Sequence, residues 1–152
     1  MVKRIFCLVF LLLFYSVSAF AYNIPMKYLG GDDNIKFFVR LDNVAWVELN
    51  DVDKPMALFE RAMRLEIMSM TQGKRVGFTY LATYNKQEQE ISKLIEAKSY
   101  TPNGAIEKST NMSTTQKWTT TAQGSVVDKA VALILKSAEA GEIDFLQIPS
   151  NY

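Results

Sequence analysis

The chain has 152 residues, 49% of them hydrophobic, and a formal net charge of +1. It contains no His and one Cys, which excludes His-based catalytic dyads and triads, His-ligated metals and an internal disulfide. An apolar content this high belongs to a chain with a packed core rather than to a disordered one.

Residues 1–21 read as a cleaved secretory signal peptide. Lys3 and Arg4 form its basic start, residues 5–15 an uncharged apolar run, and Ser18-Ala19-Phe20-Ala21 a small-residue cleavage site. The run is shorter than the roughly 20 residues a membrane-spanning helix needs. Cys7 lies inside it rather than at the cleavage point, so a lipoprotein anchor is not expected. Removing this segment takes away Lys3, Arg4 and Cys7 but no acidic residue. The expected mature chain, residues 22–152, therefore carries a net charge of −1 and has neither Cys nor His. It is expected outside the cytoplasm, in the periplasm or secreted, with no transmembrane segment. It is read as a single domain that must rely on packing or oligomerisation where many small secreted domains use disulfides.

Residues 22–34 read as a lead-in loop, with Gly30-Gly31-Asp32-Asp33-Asn34 a turn cluster that lacks the ligand spacing of a calcium loop. Ile35, Phe37, Val39 and Leu41 alternate with polar residues. With Asp42-Asn43 as the turn and residues 44–49 as the second strand, they predict a β-hairpin. Asp53 and Pro55 resemble a helix start. Leu58, Phe59, Ala62, Met63, Leu65, Ile67 and Met70 then predict an amphipathic helix over residues 56–72, closed by Gly73. Its methionines suit core packing.

Val76, Phe78, Tyr80, Ala82 and Tyr84 alternate as a strand. Ile91, Leu94 and Ile95 suggest a short helix or helix-like connection within residues 85–98. The segment 105–123 is rich in Ser and Thr. It is either a flexible linker or a set of solvent-facing strands, and the strand propensity of Thr favours the latter. Residues 125–140 predict a second helix. Ser125 and Asp128 resemble a capping box, Val127, Ala130, Val131, Ile134, Leu135 and Ala138 form an apolar stripe, and Gly141 is the stop. Residues 143–148 predict a last strand. The fold class expected is α+β, a mainly antiparallel sheet with two packed amphipathic helices.

Little in this pattern carries chemistry. Without His or mature Cys, the usual zinc, copper and haem sites are unavailable. A Ser–Lys nucleophile has no convincing context around Ser92-Lys93 or Ser109. Gly73-Lys74-Arg75 lacks the upstream Gly and following Ser/Thr of a phosphate loop. Paired carboxylates remain, at Glu48, Asp51 and Asp53 or at Glu88 and Glu90, and are read as caps and solvated charges. No basic stripe for nucleic acid is evident. Aromatic residues are plentiful, and Trp46, Tyr80, Tyr84 and Trp118 are the candidate binding residues, with Tyr28 and Tyr100 also available. Exposed, they would suit glycan stacking or a subunit interface.

The order of residues 37–84 resembles small secreted bacterial proteins related to the B subunits of AB5 toxins of the subtilase and pertussis type. The resemblance lies in a hairpin ending Val44-Ala45-Trp46-Val47-Glu48-Leu49, the segment from Met56 to Gln72, and Gly73-Lys74-Arg75-Val76 leading into a strand. It implies an OB-like small barrel, oligomerisation and glycan binding. Such B subunits usually carry an internal disulfide, which this chain does not, and no binding residue is carried across. The function expected is that of a bacterial, non-enzymatic binding protein acting through a protein or glycan surface, without cofactor and with homo-oligomerisation open. The alternatives are a small hydrolase using acidic residues, or a structural subunit of a secretion or surface assembly.

Overall fold

A computed structural model describes residues 25–50, 54–55, 60–83, 90–143 and 145–148. The expected signal peptide, Asp51, Asp53, Tyr84 and Glu88 lie outside them. The described residues form nine strands in one sheet and one helix. The strands are β1 (Met26–Gly31), β2 (Ile35–Arg40), β3 (Ala45–Glu48), β4 (Arg61–Thr71), β5 (Lys74–Thr83), β6 (Ile91–Tyr100), β7 (Ile106–Asn111), β8 (Thr119–Thr120) and β9 (Leu146–Ile148); the helix is α1 (Val126–Glu139).

The main path runs β1-β2-β4-β5-β6-β7, every neighbour antiparallel. β4 and β6 are long enough to take two partners end to end on one side. β4 pairs with β2 over Ile67–Thr71 and with β3 over Arg61–Arg64. β6 pairs with β7 over Glu96–Tyr100 and with β8 at Ile91 and Ser92. β9 adds to β3 in parallel. Among the described residues β1 and β7 stand at opposite ends of this path, so the sheet is open and the expected OB-like barrel is not formed.

The expected helix over residues 56–72 is replaced where it is described by a strand, β4, the centre of the sheet. A strand covered on both faces loses its alternation and reads as a continuous apolar run. β4 is of this kind: Ala62, Met63, Leu65, Ile67 and Met68 are all buried. Gly73 therefore caps no helix. It turns β4 into β5 with Thr71 opposite Lys74, at a positive φ of 74° that glycine takes without a Cβ clash. The expected helical connection within 85–98 is likewise a strand from Ile91, and the lead-in loop contains β1. The two strands expected to pair as a hairpin, β2 and β3, both form, but each pairs with β4 instead of with the other. A local turn cannot compete with a central strand that offers both of them an edge.

α1 forms as expected. Ser125 is its N-cap, its hydroxyl accepting the N–H of Asp128 at 3.3 Å. Ala130, Val131 and Ile134 press on Val39, Met63, Leu65 and Ala82 of one sheet face. The reverse face holds a smaller apolar cluster of Val47, Leu49, Ala62, Leu81 and Ile95, flanked by Ile91 and Trp118. No helix among the described residues is long and apolar enough to cross a membrane.

Candidate functional site

The sheet decides where each candidate side chain goes. Trp46 lies on the helix face, half-buried, with Phe145 5.2 Å away between ring centroids and the Arg61 guanidinium 4.5 Å from its ring. Tyr80 packs half-buried on the same core, and burial pushes its hydroxyl pKa up. Trp118 packs against the apolar cluster of the reverse face. The three described candidates are thus split between two faces and used in packing, and they build no common aromatic platform.

The reverse face carries a buried polar cluster that the sequence reading did not single out. Glu66, on β4, is fully buried. A buried carboxylate is tolerated only when paired and hydrogen-bonded, and Glu66 is both. Arg40 of β2 donates to Oε2 at 2.9 Å, Asn43 donates to Oε2 at 3.1 Å, and the Tyr100 hydroxyl of β6 donates to Oε1. Arg40 also forks onto Asp42 at 3.0 and 2.7 Å. The Asp42 hydrogen bond holds the guanidinium pKa above its ordinary value despite its burial, and the Glu66 charge adds to this. Burial pushes the Tyr100 hydroxyl up, and the Glu66 carboxylate pushes it further. Both oxygens of Glu66 accept hydrogen bonds from the protein itself, so this cluster ties β2, β4 and β6 together.

A groove lies beside α1, lined by Glu90, Asp128, Val131, Leu135, Lys136 and Glu139. Burial holds the Glu90 carboxyl above its ordinary pKa, opposed by a hydrogen bond with Thr121 and reinforced by the Asp128 charge. Its Oε1 is buried without a hydrogen-bond partner among the described residues. No group of three metal-ligating side chains occurs among the described residues.

Among the described residues the sheet edge at β7 is open. All six of its residues are exposed. They are mostly polar, as the solvent-facing strand reading of this segment expects, and they hold register with β6 from Glu96↔Asn111 to Tyr100↔Ile106. Ser109 donates to Glu96 at 2.6 Å. Burial pushes the Glu96 carboxyl up, but the hydrogen bonds of Ser109 and Lys98 and the charges of Lys98 and Arg64 outweigh it and hold the pKa below the ordinary value. Glu107 is the extra residue of a bulge between the Ser99↔Lys108 and Tyr100↔Ile106 pairs.

The hydrogen-bond phase of this edge follows from its ends. Met112 donates its N–H to Ile95 at 2.8 Å. In an antiparallel pair the main-chain groups of successive residues point alternately to one side and the other. Those of Asn111 and Ser109 therefore point away from β6, where no described strand meets them. Ile106 is 57% exposed and Tyr28, on β1 at the opposite edge, is 54% exposed; they are the exposed large hydrophobics among the described residues.

Comparison with known proteins gives no matching family model, no similar curated protein and no similar solved structure.

Proposed function

We infer that this chain is a non-enzymatic, extracytoplasmic interaction protein that engages a protein partner by strand addition at β7. The observation that carries the reading is the edge itself: a six-residue strand, exposed throughout, with main-chain donors and acceptors turned outward at Ser109 and Asn111. An extended segment laid there gains main-chain hydrogen bonds from a sheet already formed. The N-terminal leader pattern and the absence of His support a role outside the cytoplasm that does not depend on common catalytic side chains. A protein partner is favoured over a glycan because Trp46, Tyr80 and Trp118 are occupied in packing on opposite faces.

The test is selection of extended peptides from a random displayed library on the purified protein, beside a printed glycan panel. Peptide binding that Ser109→Pro abolishes, with the fold retained by circular dichroism, is expected, since that proline removes an outward N–H. Binding confined to glycans, or peptide binding indifferent to Ser109→Pro, would overturn the reading. A second reading, a hydrolase working with carboxylates, is favoured by the groove where Glu90 is held toward its protonated form near Asp128. It requires turnover of a chromogenic ester or glycoside that Glu90→Gln abolishes.

A further inference from the structure

We propose that β7 docks the β1 edge of a second copy of this chain, so that copies join head to tail into one continuous antiparallel sheet. The inference rests on β7 being a docking edge and names one partner for it.

Strand polarity comes first. The path from β1 to β7 contains six strands, each antiparallel to the next. With an even number, β1 and β7 run in opposite directions. A second copy placed beside the first without being turned over presents β7 antiparallel to β1, with the α1 side of both sheets facing the same way. The contact is heterologous, which propagates rather than closes on itself.

The side chains agree with this placement. Tyr28 sits opposite Phe38, which sits opposite Met68, on the reverse face. The Tyr28 and Phe38 ring centroids are 5.5 Å apart. Tyr100, whose hydroxyl reaches Glu66 on that face, sits opposite Ile106. Tyr28 and Ile106 thus occupy the same face at the two ends of the path formed by the described strands. Placing Tyr28 opposite Ile106 of a second copy covers both at once.

The hydrogen-bond phase fits the same register. Leu41 donates its N–H to Pro25 O at 2.8 Å, so alternation turns the main-chain groups of Met26 and Tyr28 outward from β2. Thr101 donates to Ala105 O at 2.9 Å, which turns those of Ile106 outward from β6. Tyr28 opposite Ile106 and Met26 opposite Ser109 then meet outward groups with outward groups, and the bulge at Glu107 takes up the extra residue between them.

The register sets Lys27, held by Glu142 and Ser137 of its own chain, opposite the bulge of Glu107 and Lys108 in the second copy.

The experiment uses the full chain in a Cys7→Ser background, so that no native thiol remains. With Tyr28→Cys and Ile106→Cys in one chain, mild oxidation is expected to give a ladder of disulfide-linked multimers. Each single variant alone should stay uncross-linked, and a mixture of the two singles should stop at dimers. Sedimentation should show self-association of the parent chain, and Ser109→Pro should reduce it to monomer with its melting temperature within a few degrees of the parent's. Cross-linking by Ile106→Cys alone would show an isologous β7 contact and overturn the proposal. So would a monomer at about 100 μM with no ladder. Peptide capture at β7 without self-association would overturn this inference alone and leave the strand-addition reading standing, while failure of both would remove that reading too.

Discussion

Gly77 and Tyr100 share one space: a Cβ on Gly77 would stand 3.0 Å from Cε2 of the Tyr100 ring. The same Cβ would also meet Glu66, 3.2 Å from its Cδ. The missing side chain is what lets the Tyr100 ring lie across β5 and bring its hydroxyl to the Glu66 carboxylate.

Gly77→Ala is therefore expected to destabilise the protein, although alanine suits a strand interior better than glycine does. The methyl must displace either the ring or the carboxylate, and overpacking of this kind costs about 1–3 kcal/mol. Urea unfolding of the variant gives the number; a neutral or stabilising effect would contradict the close approach.

Tyr100→Phe keeps the ring over Gly77 and removes the hydrogen bond to Glu66 Oε1. One oxygen of a fully buried carboxylate then loses its donor. Hydrogen bonds to charged groups contribute about 1.5–3 kcal/mol, and the loss should fall in that range at pH 7 with no change in the denaturant slope.

Glu90 gives a pH signature. Its folded-state pKa is raised above the ordinary value of 4.5, so the folded chain binds this proton more tightly than the unfolded chain does. Stability contributed at this site is present at low pH and falls as pH rises through the folded pKa. Glu90→Gln should match the parent near pH 4 and exceed it at pH 7. Because the group is only half-buried, the gain should be no more than about 1 kcal/mol. Melting temperatures of both proteins between pH 4 and pH 8 test the sign.

Ser125→Ala removes the acceptor of the Asp128 N–H at the start of α1. A loss of about 1 kcal/mol is expected, as for other N-cap serines, and Ser125→Asp should restore most of it. Thermal melts of the pair separate a cap effect from a general packing effect.

α1 was legible because its information is local. The cap at Ser125, the apolar stripe from Val127 to Ala138 and the stop at Gly141 all lie within one segment, and β5 was legible from its alternation in the same way. β4 was not. Its apolar residues at 62, 63, 65, 67 and 68 satisfy a helical period as well as a strand buried on both faces, and only the presence of β2, β3 and β5 around it chooses between them. Glu66 carries no signal in the sequence, because its partners Arg40, Asn43 and Tyr100 come from 26, 23 and 34 residues away. The Thr content of 105–123 favoured exposed strands over a linker, and β7 and β8 form there, but that both pair with β6 is settled only by the fold.

The sequence by itself determined the leader-like start, the lack of His, the confinement of the single Cys to residue 7, and the elements whose signals are short-range. The tertiary structure decided which strand is central, which charge is buried and which edge is left open among the described residues. Those are properties of pairing between distant segments: a residue's burial depends on what crosses above and beside it, and periodicity within one segment reports only that segment's own faces.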